Sequence, residues 1–169
     1  MKKEMRKVSA RMMAFLLVLC MCAPLVFATK SEAAKGYYFS YGGVSVTMGS
    51  KAKKFIKAAG KKQSYKKKKS CAFKGYDRTR QYADFILSTY SNSKKGAEYV
   101  NGITFRTSSV KTKEGIGIGS SESDVISAYG SKDPVSIGGR KFFTYVKGKT
   151  KLIIVTENSK VTMLRYNLK

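Results

Sequence analysis

The sequence predicts an α+β fold of two tandem repeats, each a helix packed on a three-stranded antiparallel meander, with a short N-terminal hairpin. Residues 46–60 (VTMGSKAKKFIKAAG) recur seventy positions later as residues 116–130 (IGIGSSESDVISAYG). Apolar residues, a Gly-Ser pair, an Ile, an Ala and a closing Gly coincide without a gap over 15 positions. Strand-like segments then follow in the same order in both copies. We therefore expect repeat 1 over residues 35–112 and repeat 2 over residues 113–169.

The first 34 residues have the features of a secretory signal peptide. Five basic residues precede an uncharged apolar run over 12–27, and cleavage options follow at Ala28, Ala33 or Ala34. A retained membrane anchor is the alternative, but 16 apolar residues fall short of the roughly 18 to 20 that span a bilayer. We therefore expect a secreted or extracytoplasmic protein associated with the cell wall. The Lys-rich composition favours a Gram-positive source.

The composition of residues 35–169 is strongly basic. This part of the chain carries 28 Lys and Arg against 8 Asp and Glu, a net charge of +20. Such a field attracts polyanions and repels basic partners. Cys71 is the single cysteine here, so no intramolecular disulfide can form. The apolar core must therefore stabilise the fold, and 135 residues are enough to build one.

The first repeat is expected to begin with a hairpin over residues 37–48, which alternate around a Gly42-Gly43 turn. A helix follows, with Ser50 as N-cap and Gly60 at the left-handed position after its end. The apolar face of this helix comprises Ala52, Phe55, Ile56 and Ala59. Residues 61–69 are expected to form a solvated basic connector. Strands are expected over 71–76, 82–90 and 98–107.

The second repeat is expected to follow the same order. Ser120 or Ser121 begins a helix over 122–129, and the spacing of Ser121 and Asp124 is typical of a capping box. Gly130 ends this helix. Its buried face is expected to comprise Val125, Ile126 and Tyr129. Strands are expected over 141–147, 151–157 and 160–168.

The repeated motif resembles a known family. Each copy reads apolar-x-apolar-Gly-Ser, four residues, Phe-Ile or Val-Ile, three residues and Gly, followed by three strand-like segments. This pattern is similar to the small extracytoplasmic repeat of β-lactamase-inhibitory proteins and of small outer-membrane-assembly lipoproteins, over about residues 44–168. The resemblance implies a helix-on-sheet fold and a binding role. Those inhibitors bind β-lactamase through an exposed sheet face and loops, and no individual contact residue carries over.

Residues that could perform catalysis are scarce. The chain has no histidine, which removes the commonest general base and metal ligand. Cys71 could be the nucleophile of a cysteine-dependent cell-wall enzyme, or a small apolar residue at the start of a strand, which we favour. Among the acids only Glu122 and Asp124 lie close together, in the first turn of a helix. The glycine-rich residues 114–119 lack the Lys-Ser/Thr of a P-loop. We predict no catalytic activity, no cofactor and no bound metal.

The strongest functional feature is a run of ten lysines within residues 51–69, with no acid between them. An ordinary solvated face is one interpretation, and a polyanion-binding surface is the other. The candidate binding residues are Lys51, Lys54, Lys57, Lys61, Lys62, Lys66, Lys67, Lys68 and Lys69. Lysine supplies point charges for phosphates and little specific readout, so we expect an anionic wall polymer or anionic membrane surface and no specific nucleic acid. A second hypothesis is an inhibitor-like module that binds another secreted protein through a tyrosine-rich sheet face.

Overall fold

Residues 36–169 fold mainly as β-sheet. The computed structural model describes residues 36–169, and the expected signal peptide over 1–34 lies outside them. The strands are β1 (Tyr38–Tyr41), β2 (Val44–Thr47), β3 (Ser64–Lys69), β4 (Tyr76–Gln81), β5 (Phe85–Ser91), β6 (Tyr99–Phe105), β7 (Val135–Ile137), β8 (Arg140–Lys147), β9 (Thr150–Glu157) and β10 (Lys160–Leu168). The helices are α1 (Lys53–Ala58) and α2 (Glu122–Tyr129).

The predicted α+β class, with two tandem helix-on-meander repeats, is wrong. β3 to β10 form one eight-stranded antiparallel sheet in the order β3-β4-β5-β6-β10-β9-β8-β7, and β1 pairs with β2. The two helices of residues 36–169 have only 6 and 8 residues. The sheet is continuous because β6 pairs with β10, which places Ile103 opposite Tyr166. This pairing satisfies two strand edges that separate meanders would leave open.

One face of the large sheet carries the core, and we call it the helix side. Phe39 of β1 lies with its ring 5.3 Å from that of Phe85 and 5.2 Å from that of Phe105. Phe55 of α1 packs 5.8 Å from Phe85, and Val125 of α2 is fully buried. The hairpin and both helices therefore cover the same face, because a sheet without such a cover cannot bury enough apolar surface. We call the opposite face the open side.

The Gly-Ser motif shared by the two halves makes the same local hydrogen bonds twice. The Gly49 N–H donates to the Val100 carbonyl at 2.7 Å, and the Gly119 N–H donates to the Val161 carbonyl at 2.8 Å. Both glycines have positive φ, +81° and +90°. Glycine is the residue that adopts this backbone without strain. The internal sequence match thus encodes a turn that joins a loop to the sheet.

The helix ends follow the sequence expectations only in part. The capping box of α2 is confirmed, with the Asp124 N–H donating to Ser121 Oγ at 3.1 Å and the Ser121 N–H to Asp124 Oδ2 at 3.0 Å. Ser50 is not the N-cap of α1, because its hydroxyl donates to the Thr47 carbonyl instead. Ala52 occupies the cap position without a side-chain bond. Gly60 has the expected positive φ, +72°.

The strand predictions succeed in the second half, and in the first half they succeed for β1, β2, β5 and β6. The strands expected over 141–147, 151–157 and 160–168 correspond to β8, β9 and β10. The expected strand over 71–76 is wrong, because residues 71–75 form a loop and β4 begins at Tyr76. The expected connector over 61–69 is also wrong in part, since Ser64–Lys69 is the edge strand β3.

Candidate polyanion-binding surface

The nine candidate lysines are all exposed, and they lie on three consecutive pieces of chain. Lys51 precedes α1 and forms an isolated β-bridge with Tyr99. Lys54 and Lys57 lie on α1, one turn apart. Lys61 and Lys62 lie in the link to the sheet, and Lys66, Lys67, Lys68 and Lys69 lie on β3.

The alternation of β3 divides its four lysines between the two sides of the sheet. Lys67 is opposite Arg78 and Lys69 is opposite Tyr76. Arg78 is buried on the helix side, so these two lysines share that side with α1. Lys66 and Lys68 project on the open side, opposite Thr79 and Asp77. The candidate residues therefore surround an edge of the sheet and do not form one flat patch.

The positive charge of this segment is not neutralised within the protein. The four ion pairs of residues 36–169 use Arg78, Arg80, Arg140 and Lys141 as cations, and none uses a lysine from 51–69. Six of the eight acids of residues 36–169 are occupied elsewhere, and Asp77 lies opposite Lys68. Those that accept intramolecular hydrogen bonds from side chains or a backbone N–H are Asp84, Glu98, Glu114, Glu122, Asp124 and Glu157. Most of the ten lysines therefore present their charge to solvent.

A buried arginine pair lies beneath the lysines, and sequence reasoning missed it. Arg78 and Arg80 are 4% and 8% exposed and share one carboxylate, that of Glu98. Arg80 donates to both Glu98 oxygens at 2.6 and 2.9 Å. Thr89 donates to the same carboxylate at 2.7 Å. Two guanidinium groups for one carboxylate leave one buried positive charge in excess, which adds to the field of the lysines. The Arg-Thr-Arg segment has no apolar/polar alternation, so the sequence carried no strand signal for this pair.

Lys67 shows how crowded the positive charge is on the helix side. Its ammonium donates to the Lys94 carbonyl at 2.9 Å and lies 5.0 Å from the ring centre of Tyr76. The pKa of Lys67 is lowered, first by partial loss of hydration and then by the charges of Arg78 and Lys94. An arriving anion would relieve this repulsion. Lys94 thus belongs to the basic surface although it lies outside the predicted segment.

Cys71 lies in the loop between β3 and β4 and is exposed. The expectation that it is a strand residue is wrong. Residues 36–169 contain no histidine to act as its base, and no group of three or more metal-binding side chains occurs among them. An open depression of about 720 Å³ lies between the β2–α1 turn and the chain end near Leu168. Neither Cys71 nor any Asp or Glu side chain lines it.

The tyrosines do not form one exposed face of the sheet. Tyr82, Tyr145 and Tyr166 are buried on the helix side, so they offer no surface. Tyr90 and Tyr99 are half-buried on the open side, with ring centres 5.6 Å apart. The most exposed apolar side chains of that side lie at the other end of the sheet, where Val135, Ile137 and Val146 are 62%, 64% and 47% exposed.

Within the described part of the chain, no helix is both long enough and apolar enough to cross a membrane. Comparisons with protein-family models, with curated proteins and with solved structures found no match. The resemblance of the Gly-Ser motif to the inhibitor and lipoprotein repeats therefore stays a prediction.

Proposed function

We propose that this protein is a non-enzymatic, extracytoplasmic binding protein that associates with an anionic cell-surface polymer through its lysine-rich segment. The observation that carries the proposal is the unpaired charge of residues 51–69, whose lysines are exposed and take part in none of the four ion pairs of the described residues. A protein that needed lysines only for solubility would intersperse acids among them.

The chemistry of the surface favours a phosphate-bearing polymer such as teichoic acid. Ammonium groups on both sides of β3 and on α1 can follow a flexible chain of phosphates without a fixed geometry. Each contact releases counterions, so binding should be strong at low salt and fall as salt rises. The excess positive charge of the buried Arg78 and Arg80 adds to the positive electrostatic potential of the lysines.

The test compares retention on purified cell walls with and without their phosphate polymer. Exchange of Lys54, Lys57 and Lys67 for Gln should weaken binding by roughly 50-fold near 0.15 M salt. Each lost phosphate contact is expected to reduce the magnitude of the slope of log affinity against log salt concentration by about 0.7. The matched control exchanges Lys113, Lys132 and Lys149, which are exposed elsewhere, and removes the same net charge. Equal losses for both triple variants, or equal retention on both walls, would reject the segment as the binding surface.

A second candidate function is a protein-binding module on the open side. Val135 and Ile137, two residues apart on β7, are the observation in its favour, because neighbouring large exposed apolar side chains are typical of protein interfaces. A partner held there should stay bound at high salt, and exchange of Val135 and Ile137 for Thr should release it. Capture that tolerates 1 M salt would favour this function over polymer binding.

A further inference from the structure

We propose that β3 is a docking edge for an extended acidic segment of another protein, which adds to the sheet as a ninth strand. This inference goes beyond polymer binding, because it depends on the backbone of β3 as well as on its charge. β3 is the first strand in the order of the large sheet, so one of its edges has no neighbouring strand among the described residues. All six of its residues are exposed.

The ladder between β3 and β4 identifies the backbone groups that face outward. The Ser70 N–H donates to the Gly75 carbonyl at 2.9 Å, in line with the register that pairs Lys69 with Tyr76. Hydrogen-bonded pairs alternate along an antiparallel ladder. Lys66 and Lys68 therefore bond to β4, whereas the N–H and C=O groups of 65, 67 and 69 point away from the sheet. Three donors and three acceptors at this spacing match a β-strand.

The positive charge of β3 determines which kind of strand can pair with its outer edge. Lys66, Lys67, Lys68 and Lys69 place two ammonium groups on each side of the edge. Lysines on an edge strand repel a second basic strand, including a second copy of this chain with its net positive charge. A strand with consecutive Asp or Glu residues places carboxylates opposite lysines on both sides, and cross-strand pairs of opposite charge stabilise a sheet. The lysines that prevent β3 from pairing with another basic strand thus attract an acidic segment.

Tyr65 extends the surface at one end of β3. It is 43% exposed, and the Arg80 guanidinium lies 4.9 Å from its ring centre. The ring is therefore held on the helix side and offers a flat apolar contact to a side chain of the added strand. Strand addition of this kind takes its affinity from main-chain hydrogen bonds and its specificity from alternate side chains.

The test uses a synthetic peptide with four consecutive glutamates flanked by Thr and Val, and the amide hydrogen exchange of the protein measured by NMR. Saturating peptide should slow exchange at the N–H groups of Tyr65, Lys67 and Lys69 by at least about tenfold. Exchange at Lys66 and Lys68 should already be slow without peptide, since these groups bond to β4. Peptide binding without new protection at residues 65, 67 and 69 would overturn the proposal and leave only charge attraction.

A matched pair of variants separates the backbone from the charge. Lys67→Gln and Lys67→Pro remove the same charge, but only the proline also removes the outward N–H. Proline is tolerated on an edge strand where its nitrogen faces solvent. Lys67→Pro should bind the peptide at least about fivefold more weakly than Lys67→Gln, and both should bind a phosphate polymer equally. If Lys67→Pro unfolds, Lys69→Pro and Lys69→Gln at the strand end repeat the comparison. Equal peptide affinity within a folded pair would reject strand addition.

Discussion

Replacement of Glu98 by Gln is expected to destabilise the protein by about 3 kcal/mol. Glu98 accepts two hydrogen bonds from Arg80 and one from Thr89, and its carboxylate lies 3.4 Å from Arg78 Nε. Removal of one partner from a buried ion pair costs roughly 3 to 5 kcal/mol, because the other charge is left uncompensated. Here two guanidinium groups would be left. The lower end applies, since the Glu98 side chain is 20% exposed and Gln retains one acceptor oxygen.

Thermal and urea unfolding at pH 7 measure this change. A loss of about 3 kcal/mol corresponds to a fall in Tm of about 10 °C for a domain of this size. The control is Glu157→Gln, whose ion pair with Arg140 has side chains 57% and 40% exposed. Exposed pairs contribute little, so the control should lose less than about 0.5 kcal/mol. Equal losses for the two variants would refute the view that the arginine pair depends on Glu98.

The same carboxylate should make the protein sensitive to acid. Burial raises the pKa of Glu98, but hydrogen bonds from Arg80 and Thr89 and the charges of Arg80 and Arg78 outweigh it, so the pKa is lowered overall. Because the pKa of Glu98 is lower in the folded state than its unfolded value of 4.5, the carboxylate stabilises the protein at pH above 4.5. This stabilisation is lost as the pH falls below that value. The unfolding free energy should therefore drop as the pH falls below 4.5, and it should drop by less in the Glu98→Gln variant.

Two further variants test the second half of the fold. Ser121→Ala removes the capping box of α2 and should cost about 1 kcal/mol in urea unfolding, whereas Ser123→Ala should cost less. Burial raises the pKa of Tyr129 far above its ordinary value of 10.0. Its hydroxyl donates to the Glu114 carboxylate at 2.9 Å and accepts from the Thr112 hydroxyl at 2.7 Å. Because the neutral phenol is favoured in the folded state, this stability is present below pH 10 and is lost as pH rises above it. Tyr129→Phe should reduce the loss of stability above pH 10, and an unchanged alkaline unfolding transition would contradict this prediction.

The sequence predicted the parts of the fold that local pattern determines. β8 to β10 alternate clearly, Gly60 has the positive φ that its position after the helix suggested, and Gly130 ends α2 as predicted. β3 was missed because four consecutive lysines carry no apolar period. β4 was missed because its buried residues, Arg78 and Arg80, are charged, and their burial depends on Glu98 from a distant loop.

The continuity of the sheet was also beyond local reasoning. It depends on the pairing of β6 with β10, whose residues are more than fifty positions apart. No periodic pattern within either strand indicates its partner. The candidate lysines were named correctly as exposed residues, but their division between two sides of an edge strand required the register of β3 and β4.

The affinity of the protein for purified teichoic acid, measured as a function of salt, tests the central claim most directly. If lysine–phosphate contacts carry binding, the logarithm of the dissociation constant should rise linearly with the logarithm of salt concentration. Each lysine of 51–69 exchanged for Gln should reduce that slope by about 0.7. Exchanges at Lys113, Lys132 and Lys149 should leave the slope unchanged. A flat salt response, or equal slopes for both sets of variants, would contradict the account.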